Sequence, residues 1–271
     1  MPLQPALGSR SSPEPSRASA LDAPLVIDGI HKRFGANQVL KGVGLKLDRG
    51  ELLAVLGANG CGKSTLLRCA IRLLDPDAGS SRLGGRDLAL LKGKELRLAR
   101  REAAVVFQQI ALVKRRSALD NVCCGALGRI PLRRSLTPAA FPHEVVQRAT
   151  IALQRVGMLD RAWQPAQTLS GGQAQRVAIA RAYCQQASVI LADEPVSALD
   201  PRAAEEVMTL LGDLAHNDGL GVLTVLHQPD LALRHADRIV GMRVGEVVFD
   251  KPSPEVTPQE VDALYQHLRE T

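Results

Sequence analysis

Two stretches of this 271-residue chain have the residue types and spacing to hold phosphate, and a third supplies acid groups. Gly57-Ala58-Asn59-Gly60-Cys61-Gly62-Lys63-Ser64, followed by Thr65, fits the pattern G-x-x-x-x-G-K-[ST]. Its glycines let backbone N–H groups close around phosphates, Lys63 can reach the β and γ oxygens, and Ser64 can offer its hydroxyl to Mg²⁺. A helix beginning there would aim its dipole at the anion. Far downstream, SVILADEP reads as a buried strand that delivers Asp193 to the Mg²⁺ water shell beside Ser64. Glu194, next in line, can take a proton from, or orient, a water attacking the γ-phosphate. The chemistry implied is hydrolysis of a nucleoside triphosphate.

The second phosphate-type stretch is TLSGGQAQRVAIARA, residues 168–182. Ser170, Gly171, Gly172 and Gln173 open a helix in the way a chain builds an anion site from N–H groups and a helix dipole. Four further positions are candidates by type and place. His227 ends the strand GVLTVLH and can emerge on the sheet edge that carries the phosphates. Gln108 stands where the strand AAVVFQ meets a change of character and could reach Mg²⁺ or the attacking water. Phe34, in KRFGANQVL, is either a base-stacking ring or a core phenylalanine. Cys61 lies near Lys63 and a helix N-terminus, which lowers a thiol pKa and favours reactivity, the alternative being an inert small residue.

The elements that must position these groups follow from periodicity. LVIDGI, VLKGVGLKL and ELLAVLG read as strands, KSTLLRCAIRLL (63–74) as a helix, and LGGRD (83–87) as a turn. From about 110 to 167 strand patterns vanish, and Val145, Ala149, Ala152 and Val156 recur at helical intervals, so this stretch reads as an inserted helical subdomain. After Ser170, helices at 172–186, 201–215 and around 230–236 alternate with SVILAD and GVLTVLH, and RIVGMRVGEVVFD reads as a hairpin. Alternating strands and helices with wholly apolar strands imply an α/β fold with a mainly parallel central sheet. Residues 1–24 read as a disordered Pro/Ser/Ala tail and 251–271 as a small helical appendage.

Bulk properties narrow the class. Apolar runs such as LLAVL fall far short of the ~20 residues a membrane-spanning helix needs. The net charge of +6 is spread out, and aromatic residues make up only 3%, too few for a single-strand stacking platform, so no nucleic-acid partner is expected. Five cysteines, odd in number and without CxxC spacing, argue against a disulfide framework or zinc site and for a reducing, cytoplasmic setting. The N-terminal segment lacks the apolar core of a secretory signal.

Taken together, the glycine-rich loop at 57–64, Gln108, LSGGQ at 169–173, the apolar strand ending in Asp193-Glu194, SALD at 197–200 and His227 occur in the order found in ABC transporter ATPase subunits. The resemblance covers residues 25–250. It implies a P-loop nucleotide core of the ABC type with an antiparallel β subdomain and an inserted helical subdomain. It also implies ATP with Mg²⁺ as cofactors and a head-to-tail dimer in which each ATP lies between the glycine-rich loop of one chain and LSGGQ of the other. By position, Phe34 stacks on adenine, Gln108 senses Mg²⁺ and water, and Ser170, Gly171 and Gly172 touch the γ-phosphate in trans. Glu194 is the catalytic base, Asp200 belongs to the cross-dimer loop, and His227 is the switch histidine.

The finer match is to bacterial phosphonate-import ATP-binding subunits. It rests on VVFQQIALVKRRSALDNVCCGALG, ARAYCQQASVILADEPVSALDP and NDGLGVLTVLHQPDLALRHADRIV. This chain has Ile110 and Ala111 where that family has phenylalanine and asparagine, and RIPLRRSLTPAAFP where it often has an aromatic insert. Both departures lie where such subunits grip a permease. The resemblance therefore implies a peripheral subunit on the cytoplasmic face of the inner membrane, bound to transmembrane permease subunits and served indirectly by a periplasmic solute-binding protein. Two other readings stay open: an importer ATPase for another oxyanion or small solute, and a soluble ABC ATPase acting on nucleic acid or the ribosome.

Overall fold

The computed structural model describes residues 23–130 and 141–265. Most of the expected N-terminal tail, the centre of the RIPLRRSLTPAAFP segment and the last six residues of the appendage lie outside that range. The fold is organised by β3 (Leu52–Leu56), whose five residues are all buried. Leu52, Ala54 and Leu56 face one apolar cluster, and Leu53 and Val55 face another. Alternation of side chains across a strand explains this division, and burial of both faces explains the uninterrupted apolar run.

In chain order, β1 (Leu25–Phe34) and β2 (Asn37–Leu47) precede β3, and α1 (Lys63–Ala70) follows it. Next come β4 (Ala78–Leu83), β5 (Arg86–Asp87), α2 (Gly93–Ala99) and β6 (Ala103–Val106). The helices α3 (Ala118–Cys123), α4 (His143–Arg155) and α5 (Gly171–Cys184) then run consecutively. The chain returns to the sheet through β7 (Val189–Asp193), α6 (Pro201–His216), β8 (Gly221–Val225) and α7 (Pro229–His235). It closes with β9 (Arg238–Arg243), β10 (Glu246–Pro252) and α8 (Pro258–Tyr265).

Six strands form the main sheet in the order β10-β9-β3-β8-β7-β6. The pairings from β9 to β6 are parallel, and β10 joins the edge as the antiparallel arm of the expected hairpin. A separate antiparallel sheet, β2-β1-β4-β5, packs its apolar face onto α1. The strand β3 lies centrally, so the loop leaving its C-terminal end opens where α/β sheets bind ligands.

Two local expectations are corrected. The helix after the glycine-rich loop ends at Ala70 rather than running to Leu74, because Arg72 takes a left-handed backbone at φ 52°. Its guanidinium turns back to cap the carbonyls of Leu88 and Leu91 and to meet Asp75, so tertiary contacts replace the last helical turn. AGSSRL, read as no element, forms β4 against β1. Two of its six residues are exposed and only Ser81 and Leu83 are buried, so no apolar run marks it.

The helices α3, α4 and α5 pack on one another and share the apolar cluster beneath β3. A buried polar residue, Asn121, 1% exposed, organises the segment before α3. Its side chain accepts from Val113 N–H at 2.7 Å and donates to the carbonyls of Val113 and Ser117 at 3.2 and 2.9 Å. Asn121→Ala leaves the part-buried Val113 N–H without its acceptor, while the carbonyls of Val113 and Ser117 keep the backbone N–H groups of Arg116 and Asn121. The expected loss is about 2 kcal/mol of unfolding free energy, read as a lower denaturant midpoint at unchanged slope.

Candidate functional site

The loop between β3 and α1 is shaped by glycines that nothing else could replace. A Cβ on Gly57, whose φ is 156°, would stand 2.3 Å from the Met242 carbonyl of β9. A Cβ on Gly62, φ 109°, would stand 2.8 Å from the Val39 carbonyl of β2. The loop is thus pressed between two strands, and only residues without side chains fit. Gly62 caps α1 without a side chain, so the first N–H groups of the helix remain available to an anion.

Lys63 is buried at 5% exposure and folds back over the loop. Its Nζ donates to the carbonyls of Gly57 at 2.8 Å and Ala58 at 3.0 Å. Burial pushes its pKa down, and the nearby thiol, Glu194 and Asp193 partly offset that. A cation held so, with carbonyls in place of water, is poised for phosphate oxygens. Ser64 Oγ donates to Asp193 Oδ1 at 2.8 Å, which joins α1 to the end of β7. Asp193 is 8% exposed, and Ser64 lies at the cavity wall.

Glu194 is the hub of the opposite wall. Its Oε2 accepts from Gln108 Nε2 at 2.8 Å, and its Oε1 pairs with His227 Nε2. Its backbone is left-handed at φ 50° and tied by N–H to the Val225 carbonyl of β8. A non-glycine residue in that region costs roughly 1 kcal/mol or more, so the turn is held by its surroundings. The sheet edge thus gathers residues from β6, β7 and β8 against the phosphate loop. Together they line a cavity of about 410 Å³ that includes Asn59, Gly60, Lys63, Ser64, Thr65 and Gln108 with Glu194 and His227. Val39 of β2 completes the wall, a contribution no motif in the sequence signals.

Three further candidate positions lie outside that catalytic wall or are shielded within it. Phe34 is 51% exposed at the tip of the β1–β2 hairpin, so it is no core residue. It is outside the cavity lining, and Lys32 Nζ stands 5.7 Å from its ring centroid. Cys61 is the second. Burial pushes its thiol pKa up, and the nearby Lys63 charge offsets this only in part, which overturns the expectation of a lowered value. At 7% exposure it is shielded as well. Maleimide labelling of Cys61, located by peptide mapping among the five cysteines, should be slow at neutral pH with or without ATP and fast in urea; fast labelling of Cys61 in the native chain would contradict this placement.

The third concerns Ser170 to Gln173. Ser170 Oγ accepts from Gln173 N–H at 3.3 Å, and Gln173 Oε1 accepts from Ser170 N–H at 3.0 Å, a reciprocal capping box. The capping box occupies the N–H groups of Ser170 and Gln173 and leaves those of Gly171 and Gly172, with the hydroxyl proton of Ser170, to donate elsewhere. These residues line a different cavity, about 370 Å³, together with Asp200. Asp200 itself caps α6 by accepting from Ala203 N–H at 3.0 Å. The two phosphate-type stretches share no lining residue, so one chain does not bring them together.

Comparison with known proteins agrees with this geometry. Residues 40–197 match the ABC transporter family. The chain is similar to a phosphonates import ATP-binding protein of Synechococcus sp., 43% identical over 242 residues, 89% of this chain and 90% of that one. It is similar to the protein of the same name from Frankia casuarinae, 45% identical over 238 residues, 88% and 93% of the two chains. Among solved structures, a dimeric ATP-binding cassette in a post-hydrolysis state with ADP and Pi superposes at TM-score 0.72 with 32% identity, covering 84% of this chain and 98% of that one. With its glycine-cradled phosphate loop, its Ser64–Asp193 link and its LSGGQ helix end, the chain belongs to the ABC transporter family of ATP-binding proteins.

Proposed function

We propose that the chain is the ATP-hydrolysing subunit of an importer for phosphonates. The observation that carries the reading is the separation of the two phosphate grips into distinct cavities. A site split in this way is completed by a second copy, whose LSGGQ helix end closes over the ATP seated on the first. The relatives' shared name supplies the transported class.

The geometry performs the steps as follows. Lys63 and the N–H groups at the start of α1 bind and orient the phosphate tail, and Phe34 holds the base at the rim. The donor set of Ser64, Asp193 and Gln108, all oxygen-bearing, suits Mg²⁺, which when bound neutralises charge on the β and γ oxygens. Glu194, steadied by Gln108 and His227, orients the attacking water and accepts its proton. His227 pairs with the carboxylate of Glu194 and so fixes the direction in which it faces the attacking water.

Ser170, Gly171, Gly172 and Gln173 meet the partner's γ-phosphate, and Asp200 lies across the same seam. Loss of the γ-phosphate removes the group both chains hold, so the dimer reopens. The segment following Gln108, through Val122, carries this closure to a permease. No helix among the described residues is long and apolar enough to cross a membrane, and the permease holds the chain at the cytoplasmic face.

Growth of the source bacterium with a phosphonate as sole phosphorus source tests the reading. Deleting this chain should abolish growth on phosphonate and spare growth on phosphate, and Glu194→Gln should fail to restore it. Unimpaired growth of the deletion strain would reject the substrate class.

A further inference from the structure

The strand β1 outruns its neighbour β4. Their antiparallel ladder ends where His31 faces Ala78, while β1 continues through Lys32 and Arg33 to Phe34. The last backbone rung is a bond from Asp77 N–H to the His31 carbonyl at 2.9 Å. Beyond that rung the side chain of Asp77 stands in for the missing strand.

The two oxygens of this carboxylate serve the two residues before Phe34. Oδ2 accepts from Arg33 N–H at 2.6 Å, and Oδ1 accepts from Lys32 Nζ at 2.8 Å. Lys32 Nζ also donates to the Asp75 carbonyl at 2.8 Å and stands over the ring of Phe34. One face of the ring is thus taken by a cation, and the other is left for a flat ligand. The Lys32 ammonium and the Arg33 N–H hold the Asp77 carboxyl below the usual carboxylate range, so it is charged at any working pH.

The segment carrying Asp77 is itself tied to α1. Leu74 N–H donates to the Arg68 carbonyl at 3.2 Å, and Arg72 Nε donates to Asp75 Oδ1 at 2.9 Å. The first turn of α1 belongs to the phosphate loop, and the turn after its last residue leads to Asp77. A single helix therefore relates the phosphate grip to the tip of the β1–β2 hairpin.

We infer that Asp77 is a positioning residue for the nucleobase, fixing the hairpin tip so that Phe34 presents a preset stacking face. The inference rests on the reading of Phe34 as the base-stacking ring and names the group that holds that ring in place. The Asp77 side chain is 43% exposed, and an exposed ion pair adds little to global stability. Its effect falls on binding instead, because a ring already ordered need not be immobilised when ATP arrives.

The test is equilibrium dialysis of the full chain, with Mg²⁺, against radiolabelled ATP and against radiolabelled inorganic tripolyphosphate, which has the phosphate chain but no base. Asp77→Ala should weaken ATP about three- to tenfold, the cost of ordering one side chain and its strand end, and tripolyphosphate by less than about twofold. In a Phe34→Ala background the same substitution should have no further effect, since the ring it positions is gone. Asp77→Asn keeps an acceptor for Arg33 N–H and loses the charge on Lys32, so it should retain part of the affinity, and it serves if the alanine variant folds poorly. Unchanged ATP affinity in Asp77→Ala, an equal loss for tripolyphosphate, or a loss that adds in full to that of Phe34→Ala would each overturn the inference. If Phe34→Ala by itself binds ATP as the parent does, the stacking reading of Phe34 falls and the inference with it, so the two failures are told apart.

Discussion

Glu194→Gln is expected to slow ATP turnover by roughly 10²–10⁴-fold, the usual contribution of a positioned base. The amide keeps the size and planar shape of the carboxylate, so contacts to Gln108 and His227 can re-form. What is lost is the ability to take a proton from water. Binding of ATP should survive, because Lys63, Ser64 and the glycine loop are untouched. The variant should therefore accumulate as an ATP-bound dimer that the parent chain only visits. Gel filtration with and without ATP, beside phosphate-release kinetics, reads both effects. Brisk hydrolysis by Glu194→Gln would remove Glu194 from the role of base.

The second large effect concerns the division of the site between chains. Lys63→Ala removes the cation over one phosphate grip, and Gly171→Asp puts a carboxylate where the other grip would meet the γ-phosphate. A Cβ at Gly171 meets only Leu199 Cδ2 at 3.5 Å, an ordinary contact, and an acid in a first helical turn is favourable, so the fold tolerates the change. Each variant alone should be nearly inactive. Mixed in equal amounts, half of the dimers pair one of each, and every such dimer has one intact site and one doubly damaged one. Activity should return to about a quarter of the parent value, because a twofold dimer repeats each surface once per chain. No recovery on mixing would mean that the two grips do not serve one another across chains.

The legibility of this protein in its sequence varies with how local the cause is. The loop at 57–64 and the strand ending in Asp193 are read directly, because backbone geometry and ion chemistry restrict those positions to few residue types. The capping box at Ser170 is similarly local, since Gln173 answers it three residues on. Asn121, by contrast, looks like an ordinary polar residue, and only the path of the segment before α3 makes it a buried brace. Val39 enters the nucleotide cavity solely because β2 passes over Gly62. The same nearness buries Cys61, and no linear pattern distinguishes a shielded thiol from a reactive one. The length of α1 escaped for a related reason, as Arg72 turns away from the helix to reach carbonyls sixteen and nineteen residues on.

The self-capped helix end at Ser170 also bears on time. Its N-terminal geometry is set when the chain folds, with both reciprocal bonds already made. Closure of two such chains on ATP then needs no ordering of this helix end, which lowers the entropic cost of bringing them together. A lone chain, equipped with a complete catalytic wall but facing no second grip, should leave the cell's ATP almost untouched until an assembled neighbour arrives. Self-capping thus makes assembly itself the ignition of the motor, fast once begun and idle before.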